Sequence, residues 1–201
     1  MKATLIKYIF IILFQFIFFS ELQAESAHEY VEKVHDNIIE VIKSEQETFD
    51  KDPDGFVESI SIALSPLVDF KRISQMVMGK YYKQASAKQR NQFKIVFRSS
   101  LLNTYAKTLA EFRNEEIKVL PPKGLLTKNN RQKVYLEIVT DTKIYPGVYS
   151  MYLDSNFDWK LINIIINGVN LGMTFRNQFY GLMEKSSLDI DIVIEKWTSS
   201  F

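Results

Sequence analysis

Apolar residues in the first half of the chain recur at helical spacing. Between residues 30 and 42 they return every three or four positions, which predicts one amphipathic helix. Two shorter helices are predicted next. Asp52 before Pro53 is a typical helix start, and Asp69 opens a segment that should stop at Gly79.

The longest helix and a change of period come next. Ser86 and Gln89 form a capping box for a helix over roughly 88–112, about 37 Å long at the usual rise per residue. Behind it, β-branched and aromatic residues separated by turn residues predict strands at 117–120, 134–140, 148–154 and 159–166. The chain returns to helical spacing at 174–183 and 187–197.

This order predicts an α+β fold with N-terminal helices, an antiparallel sheet of four to five strands and C-terminal helices. The strands are apolar on both faces, whereas an antiparallel sheet with one solvated face alternates apolar and polar residues. Either helices cover both faces, or one face encloses an apolar ligand in a slot between sheet and helices. The alternation alone leaves both possibilities open.

The candidate walls of such a slot come from the strands and the long helix. On the strands they are Val134, Leu136, Ile138, Tyr149, Met151, Leu153, Ile162, Ile164 and Ile166. On the helix they are Phe97, Leu101, Tyr105 and Leu109.

The N-terminal segment has the features of a secretory signal peptide. Lys2 and Lys7 precede an apolar run over 8–19, and a small residue, Ala24, ends the segment. We expect cleavage after Ala24 and one exported domain over 25–201. Removal of these two lysines and of Glu21 takes the formal net charge from +1 to zero.

The composition excludes several classes of catalytic and binding site. The chain has no cysteine, which excludes disulfides, thiolate metal sites and cysteine nucleophiles. Its balanced charge argues against nucleic-acid binding.

His28 and His35 are expected on a solvated helix face rather than at a metal. Residues 50–55 resemble the start of a calcium loop, but Ser61 stands where a bidentate glutamate is required, so helix capping is favoured. We expect no catalytic residue, metal or cofactor.

Two stretches carry a family resemblance. One comprises 68–73 (VDFKRI), 78–82 (MGKYY) and 85–93; the other comprises 159–171 (WKLINIIINGVNL) and 175–179 (FRNQF). Together they resemble MlaC, the toluene-tolerance family of periplasmic phospholipid-binding proteins. The resemblance extends over roughly residues 28–197.

The resemblance implies a periplasmic carrier, and we expect a monomer. It would carry phospholipid between an MlaA-type outer-membrane lipoprotein complex and the MlaD-type ring of an inner-membrane ABC transporter, and so maintain outer-membrane lipid asymmetry. Acyl tails would enter the slot while the head group stays outside. Two alternatives stay open: a pocket enzyme for a hydrophobic small molecule, with Asp141 and Tyr145 as its ionisable pair, or a chaperone or scaffold without lipid.

The chain departs from the family pattern at four positions. Tyr82 stands where the family usually has tryptophan. Asn163 and Asn167 replace acidic residues, and Asn170 replaces serine. Asparagine can hydrogen-bond but cannot form an ion pair with arginine, so any salt bridge that those acids make in relatives is in doubt here.

Overall fold

A computed structural model of the chain describes residues 25–111, 115–122 and 130–198. The predicted signal peptide and the predicted end of the long helix at 112 lie outside these ranges. The helices are α1 (Ala27–Phe49), α2 (Pro53–Leu64), α3 (Phe70–Met78), α4 (Ala87–Ala110), α5 (Leu171–Lys185) and α6 (Ile190–Thr198), with a 3₁₀ turn over Gly79–Lys83. The strands are β1 (Glu116–Val119), β2 (Arg131–Val139), β3 (Ile144–Leu153), β4 (Trp159–Ile166) and β5 (Val169–Asn170).

Polar side chains start the helices where the sequence predicts them. The Asp52 carboxylate accepts a hydrogen bond from the Gly55 amide at 2.9 Å, so this aspartate caps α2 as expected. Asp69 caps α3 in the same way. Ser86 caps α4, and Gln89 completes the predicted capping box.

The five strands form an antiparallel meander in the order β1-β2-β3-β4-β5, which confirms the predicted fold class. Val134, Tyr149 and Ile164 pair across three strands and point to one side, here called the inner face. Arg131, Tyr152 and Lys160 pair in the same way on the opposite face. Among the described residues, no helix is long and apolar enough to cross a membrane.

Two separate hydrophobic cores stabilise the fold. The sheet–helix core lies between the inner face and helices α1, α2 and the C-terminal half of α4, and it is mostly aliphatic. The helical core is rich in aromatic rings and is built from α3, α5, α6, the N-terminal half of α4 and the 3₁₀ turn. Helix α4 therefore belongs to both cores, which explains why its apolar residues surround it instead of forming one stripe.

Gly79 joins α3 to the helical core in a conformation that favours glycine. Its φ is +53° and its ψ is −120°, and a Cβ there would collide with the Tyr180 hydroxyl. That hydroxyl already accepts a hydrogen bond from the Lys80 amide at 3.0 Å.

We expect Gly79→Ala to lower the free energy of unfolding by about 2 kcal/mol, because backbone strain and the clash act together. Gly181→Ala in α5 is the matched control. A Cβ there meets nothing within 4 Å, so the change should be neutral or stabilise the helix by up to about 1 kcal/mol. Urea unfolding of both variants measures the difference, and equal effects would contradict the strain argument.

Candidate ligand-binding site

Helix α1 covers the inner face of the sheet. The residues that α1 buries return at helical spacing: Ala27, His28, Val31, His35, Ile38 and Ile42. The start of the helix is tied to the sheet, since the Gln132 side chain accepts from the Ala27 amide at 3.3 Å and the Trp159 indole donates to the Glu25 carbonyl at 2.8 Å. These two hydrogen bonds anchor the N-terminal end of α1.

Most of the predicted strand residues share the inner face. The register places Val134, Leu136, Ile138, Tyr149, Met151, Leu153, Ile164 and Ile166 there together. Val134, Leu136 and Met151 are fully buried, and the others are half-buried. The structure thus brings these side chains to one surface. Their contact with a ligand remains a prediction.

Ile162 does not fit the predicted alternation. The pairing of β3 and β4 shifts by one residue between Ser150 and Met151, so Leu161 pairs with Met151 and Ile162 is left without a partner in the register. The bulge puts Leu161 in phase with Ile164 on the inner face. A continuous apolar run gives no sequence signal for such a bulge. Counting every second residue back from Ile166 therefore predicts Ile162 on the inner face, whereas the register places Leu161 there.

The predicted slot-wall residues of α4 do not lie on one surface. Phe97 is buried in the helical core with Leu101 packed against it, Tyr105 is 39% exposed, and Leu109 packs against the sheet–helix core. The helix instead turns three other residues toward the sheet–helix core: Leu102, Ala106 and Ala110. The sequence analysis missed the two alanines because alanine carries little apolar signal, and it missed Leu102 because α4 has apolar residues on every side.

Two open grooves reach the sheet–helix core. The α1–β1 groove, of about 930 Å³, is lined by Asp36, Ile39, Glu40, Lys43, Ser44, Glu115, Glu116 and Ile117. Ile39 also packs against the sheet–helix core, and Ile117 pairs with Ile138 on the inner face. Charged side chains therefore surround an apolar entrance between α1 and the edge of the sheet.

The second groove, of about 630 Å³, separates α2 from α4. Its charged lining consists of Glu58, Asp69, Lys94, Arg98, Asp154 and Lys160, with apolar residues such as Val57 and Leu102 between them. Arg98 spans it, donating a hydrogen bond to Ser61 while its guanidinium lies 5.6 Å from the ring centre of Phe70. None of the inner-face strand residues lines this groove, so it is the weaker candidate for a slot against the sheet.

His35 and Tyr149 form a polar pair between α1 and the inner face. The His35 Nε2 atom lies 3.1 Å from the Tyr149 hydroxyl, and the two rings meet edge to face. His28 and His35 are 7% and 6% exposed, so the expectation of a solvated face is wrong for both. The seven-residue spacing placed them on one helix face, but that face is the one that packs against the sheet.

Burial shifts the pKa values of both members of this pair. Desolvation lowers the pKa of His35 to about 4, although the nearby Asp36 carboxylate acts in the opposite direction. Desolvation also raises the pKa of Tyr149 to about 12. Both side chains are therefore neutral at physiological pH.

The low pKa of His35 predicts a loss of stability in acid. Unfolded histidine takes up a proton below about pH 6.5, whereas folded His35 resists protonation until about pH 4. Between pH 7 and pH 4.5 this group alone should lower the free energy of unfolding by about 2.5 kcal/mol. In His35→Phe that contribution should be absent, so the wild type and the variant should diverge as the pH falls. Parallel pH profiles from urea unfolding would contradict the prediction.

The described residues include no group of three histidine, aspartate or glutamate side chains placed to hold a metal ion. Asp141 lies exposed in the turn between β2 and β3, and Tyr145 pairs with Ile138 on the inner face. The structure therefore does not enclose these two groups together in a pocket.

The comparisons with known proteins agree with this architecture. The sequence pattern of the MlaC protein family matches residues 32–199. The chain belongs to the MlaC family. A relative from Pseudomonas putida, the toluene tolerance protein ttg2D, is 30% identical over 87% of this chain and 80% of its own length.

Two further relatives have names that state a ligand. The intermembrane phospholipid transport system binding protein MlaC of Haemophilus influenzae is 24% identical over 82% of this chain and 78% of its own length. A phospholipid-binding protein from Ralstonia solanacearum, solved in complex with a phospholipid, is 24% identical. The two structures superpose with a TM-score of 0.80 over 87% of this chain and 96% of the Ralstonia chain. This MlaC-family chain therefore shares its fold.

The asparagines at 163, 167 and 170 have local structural roles. The Asn163 side chain accepts from the Gly172 amide at 3.0 Å, and Asn170 caps α5 by accepting from the Met173 amide at 3.1 Å. Asn167 occupies a turn with a φ of +49°, which asparagine tolerates well. The amide oxygen of Asn163 thus ties the start of α5 to β4, and that of Asn170 caps the same helix, both through neutral hydrogen bonds.

Proposed function

We propose that this protein is a periplasmic carrier that binds the acyl tails of a phospholipid between α1 and the inner face of the sheet. The observation that carries the proposal is the α1–β1 groove, whose apolar lining residues, Ile39 and Ile117, adjoin the broad aliphatic surface of the inner face. Helix α1 is anchored at its N-terminal end and borders the groove with its C-terminal half. Tails entering there would separate aliphatic side chains and leave the aromatic core intact.

The relatives support the choice of ligand. One is named as the binding protein of an intermembrane phospholipid transport system, and the structural neighbour was solved with a phospholipid bound. We carry that ligand class to this chain because its fold is shared and its inner face is apolar across three strands.

An apolar slot is energetically sufficient for such a carrier. Burying two 16-carbon tails is worth roughly 25 kcal/mol relative to water, at about 0.8 kcal/mol for each CH₂ group. The relevant reference is a bilayer, however, because the lipid leaves one membrane and enters another. The pocket therefore needs only to match the apolarity of a membrane. Any energy that sets the direction would come from a partner.

We infer the cellular context from the family. The signal peptide would place the mature chain, 25–201, in the periplasm after cleavage behind Ala24. The partners would be an MlaA-type lipoprotein complex at the outer membrane and an MlaD-type ring at the inner membrane. The exchange between them requires neither a catalytic residue nor a cofactor.

Native mass spectrometry of residues 25–201, purified without detergent, tests the proposal. We expect one phospholipid on each chain, identified by solvent extraction of the same sample. A folded protein with a lipid-free mass that also takes up no lipid from phospholipid vesicles would overturn the carrier function. A pocket enzyme or a chaperone would then explain the fold better.

A further inference from the structure

The sheet–helix core contains a buried nitrogen without a partner. His35 is 6% exposed, and its Nδ1 atom has no hydrogen-bond partner among the described residues. An unpaired buried polar atom costs about 1–3 kcal/mol, so native structures seldom keep one without a reason. This nitrogen lies within an otherwise aliphatic region, beneath the proposed path of the acyl tails.

The contact with Tyr149 determines what the free nitrogen can do. A phenol is a stronger hydrogen-bond donor than a neutral imidazole N–H, and the imidazole nitrogen is the stronger acceptor. We therefore assign the Tyr149 hydroxyl as the donor to Nε2 across 3.1 Å. In that tautomer Nδ1 carries the proton, so the unpaired atom is a donor. Burial lowers the pKa of His35 to about 4, so the ring stays neutral and presents no ion to the apolar slot.

His35 lies close to the entrance of the α1–β1 groove. Ile39 follows His35 by one helical turn on α1 and lines the α1–β1 groove, as does the adjacent Asp36. Tyr149 lies in the middle of the inner face, paired with Val134 and Ile164. In a bound lipid, the tails would lie on the inner face and the head group would stay at the groove. Its ester groups would then lie between Ile39 at the groove and Tyr149 on the inner face.

We propose that His35 is the polar anchor of the site and donates a hydrogen bond from Nδ1 to an ester carbonyl oxygen of the bound lipid. The inference rests on the proposed function and specifies it further. Recognition acts on the ester linkage that acyl lipids share, and the head group contributes little. Tyr149 is a positioning residue for this hydrogen bond, because its hydroxyl fixes the tautomer of His35 while its ring belongs to the apolar wall of the inner face.

A competition between two matched lipids tests the anchor. Residues 25–201 are incubated with vesicles that contain equal amounts of dioleoyl phosphatidylcholine and its diether counterpart, which has the same tails and head group but no carbonyl. The protein is re-isolated without detergent, and the two bound lipids are quantified by mass spectrometry. We expect a preference for the ester of about three- to tenfold, the effect of one hydrogen bond.

Two histidine variants locate the preference. His35→Phe should reduce the ester-to-ether ratio to about one, because the ring volume remains while the donor is lost. His28→Phe is the matched control. His28 is equally buried on the same face of α1, and its Nε2 atom also has no partner among the described residues. It lies two helical turns before His35, beside the anchored end of α1 and away from the residues that line the groove. That variant should keep the wild-type ratio. The ratio is internal to each sample, so partial unfolding of a variant does not change its meaning.

The outcomes distinguish the two proposals. Equal binding of ester and ether lipid by the wild type would overturn the anchor and leave the carrier function intact. A preference that persists in His35→Phe would also overturn it. If the wild type takes up neither lipid, the carrier function itself fails.

Discussion

Replacing Ile164 with arginine is expected to abolish phospholipid loading. Ile164 lies on the inner face beside Tyr149 and packs against the sheet–helix core, so a guanidinium there would bring a charge into the surface that the acyl tails contact. An unpaired charge in an apolar site is strongly unfavourable. We expect bound lipid to fall by about tenfold or more, as measured by extraction from the purified protein.

The adjacent residue provides the control. Ile165 pairs with Val148 on the opposite face of the sheet and, like Ile164, is half-buried. Ile165→Arg adds the same charge one position along the same strand, and it should retain lipid. Circular dichroism and thermal melting confirm that each variant is folded. Full lipid loading in folded Ile164→Arg would show that the inner face does not contact the tails.

Truncation of Phe179 is expected to have the largest effect on stability. Phe179 is completely buried in the helical core, where its ring contacts Tyr81, Phe93 and Trp197. Phe179→Ala should lower the free energy of unfolding by about 3–5 kcal/mol, because it removes a large side chain and leaves a cavity. Urea unfolding measures the loss.

The same variant separates the roles of the two cores. The helical core does not include the inner face, so folded Phe179→Ala should carry as much lipid per chain as the wild type. Met173→Ala, on the same helix but 59% exposed, should change neither stability nor lipid content. A loss of lipid from folded Phe179→Ala would mean that the aromatic core also forms part of the site.

Sequence patterns were most informative where one local signal decides the structure. Asp52, Asp69 and Ser86 start helices as predicted, because a capping side chain acts on amides within three residues of itself. The strands and their antiparallel order follow from the β-branched and aromatic runs and the short turns between them. These features do not depend on the rest of the fold.

Tertiary packing decided the features that the sequence analysis missed. His35 carries no local sign of burial, since only the packing of α1 against the sheet makes its surroundings apolar. The bulge at Ile162 depends on the register with β3, which a uniformly apolar run does not encode. Helix α4 divides its apolar residues between two cores, so no single stripe could identify the side that faces the sheet.

A photoreactive lipid tests the location of the site most directly. A phosphatidylcholine with a diazirine near the end of one acyl chain is loaded into residues 25–201 and irradiated, and the labelled peptides are identified by mass spectrometry. The slot against the inner face predicts labels on α1, within residues 31–42, and on β2, β3 and β4. Labels confined to residues 57–65, at the end of α2, and to 94–103 of α4 would place the lipid in the second groove and contradict the account.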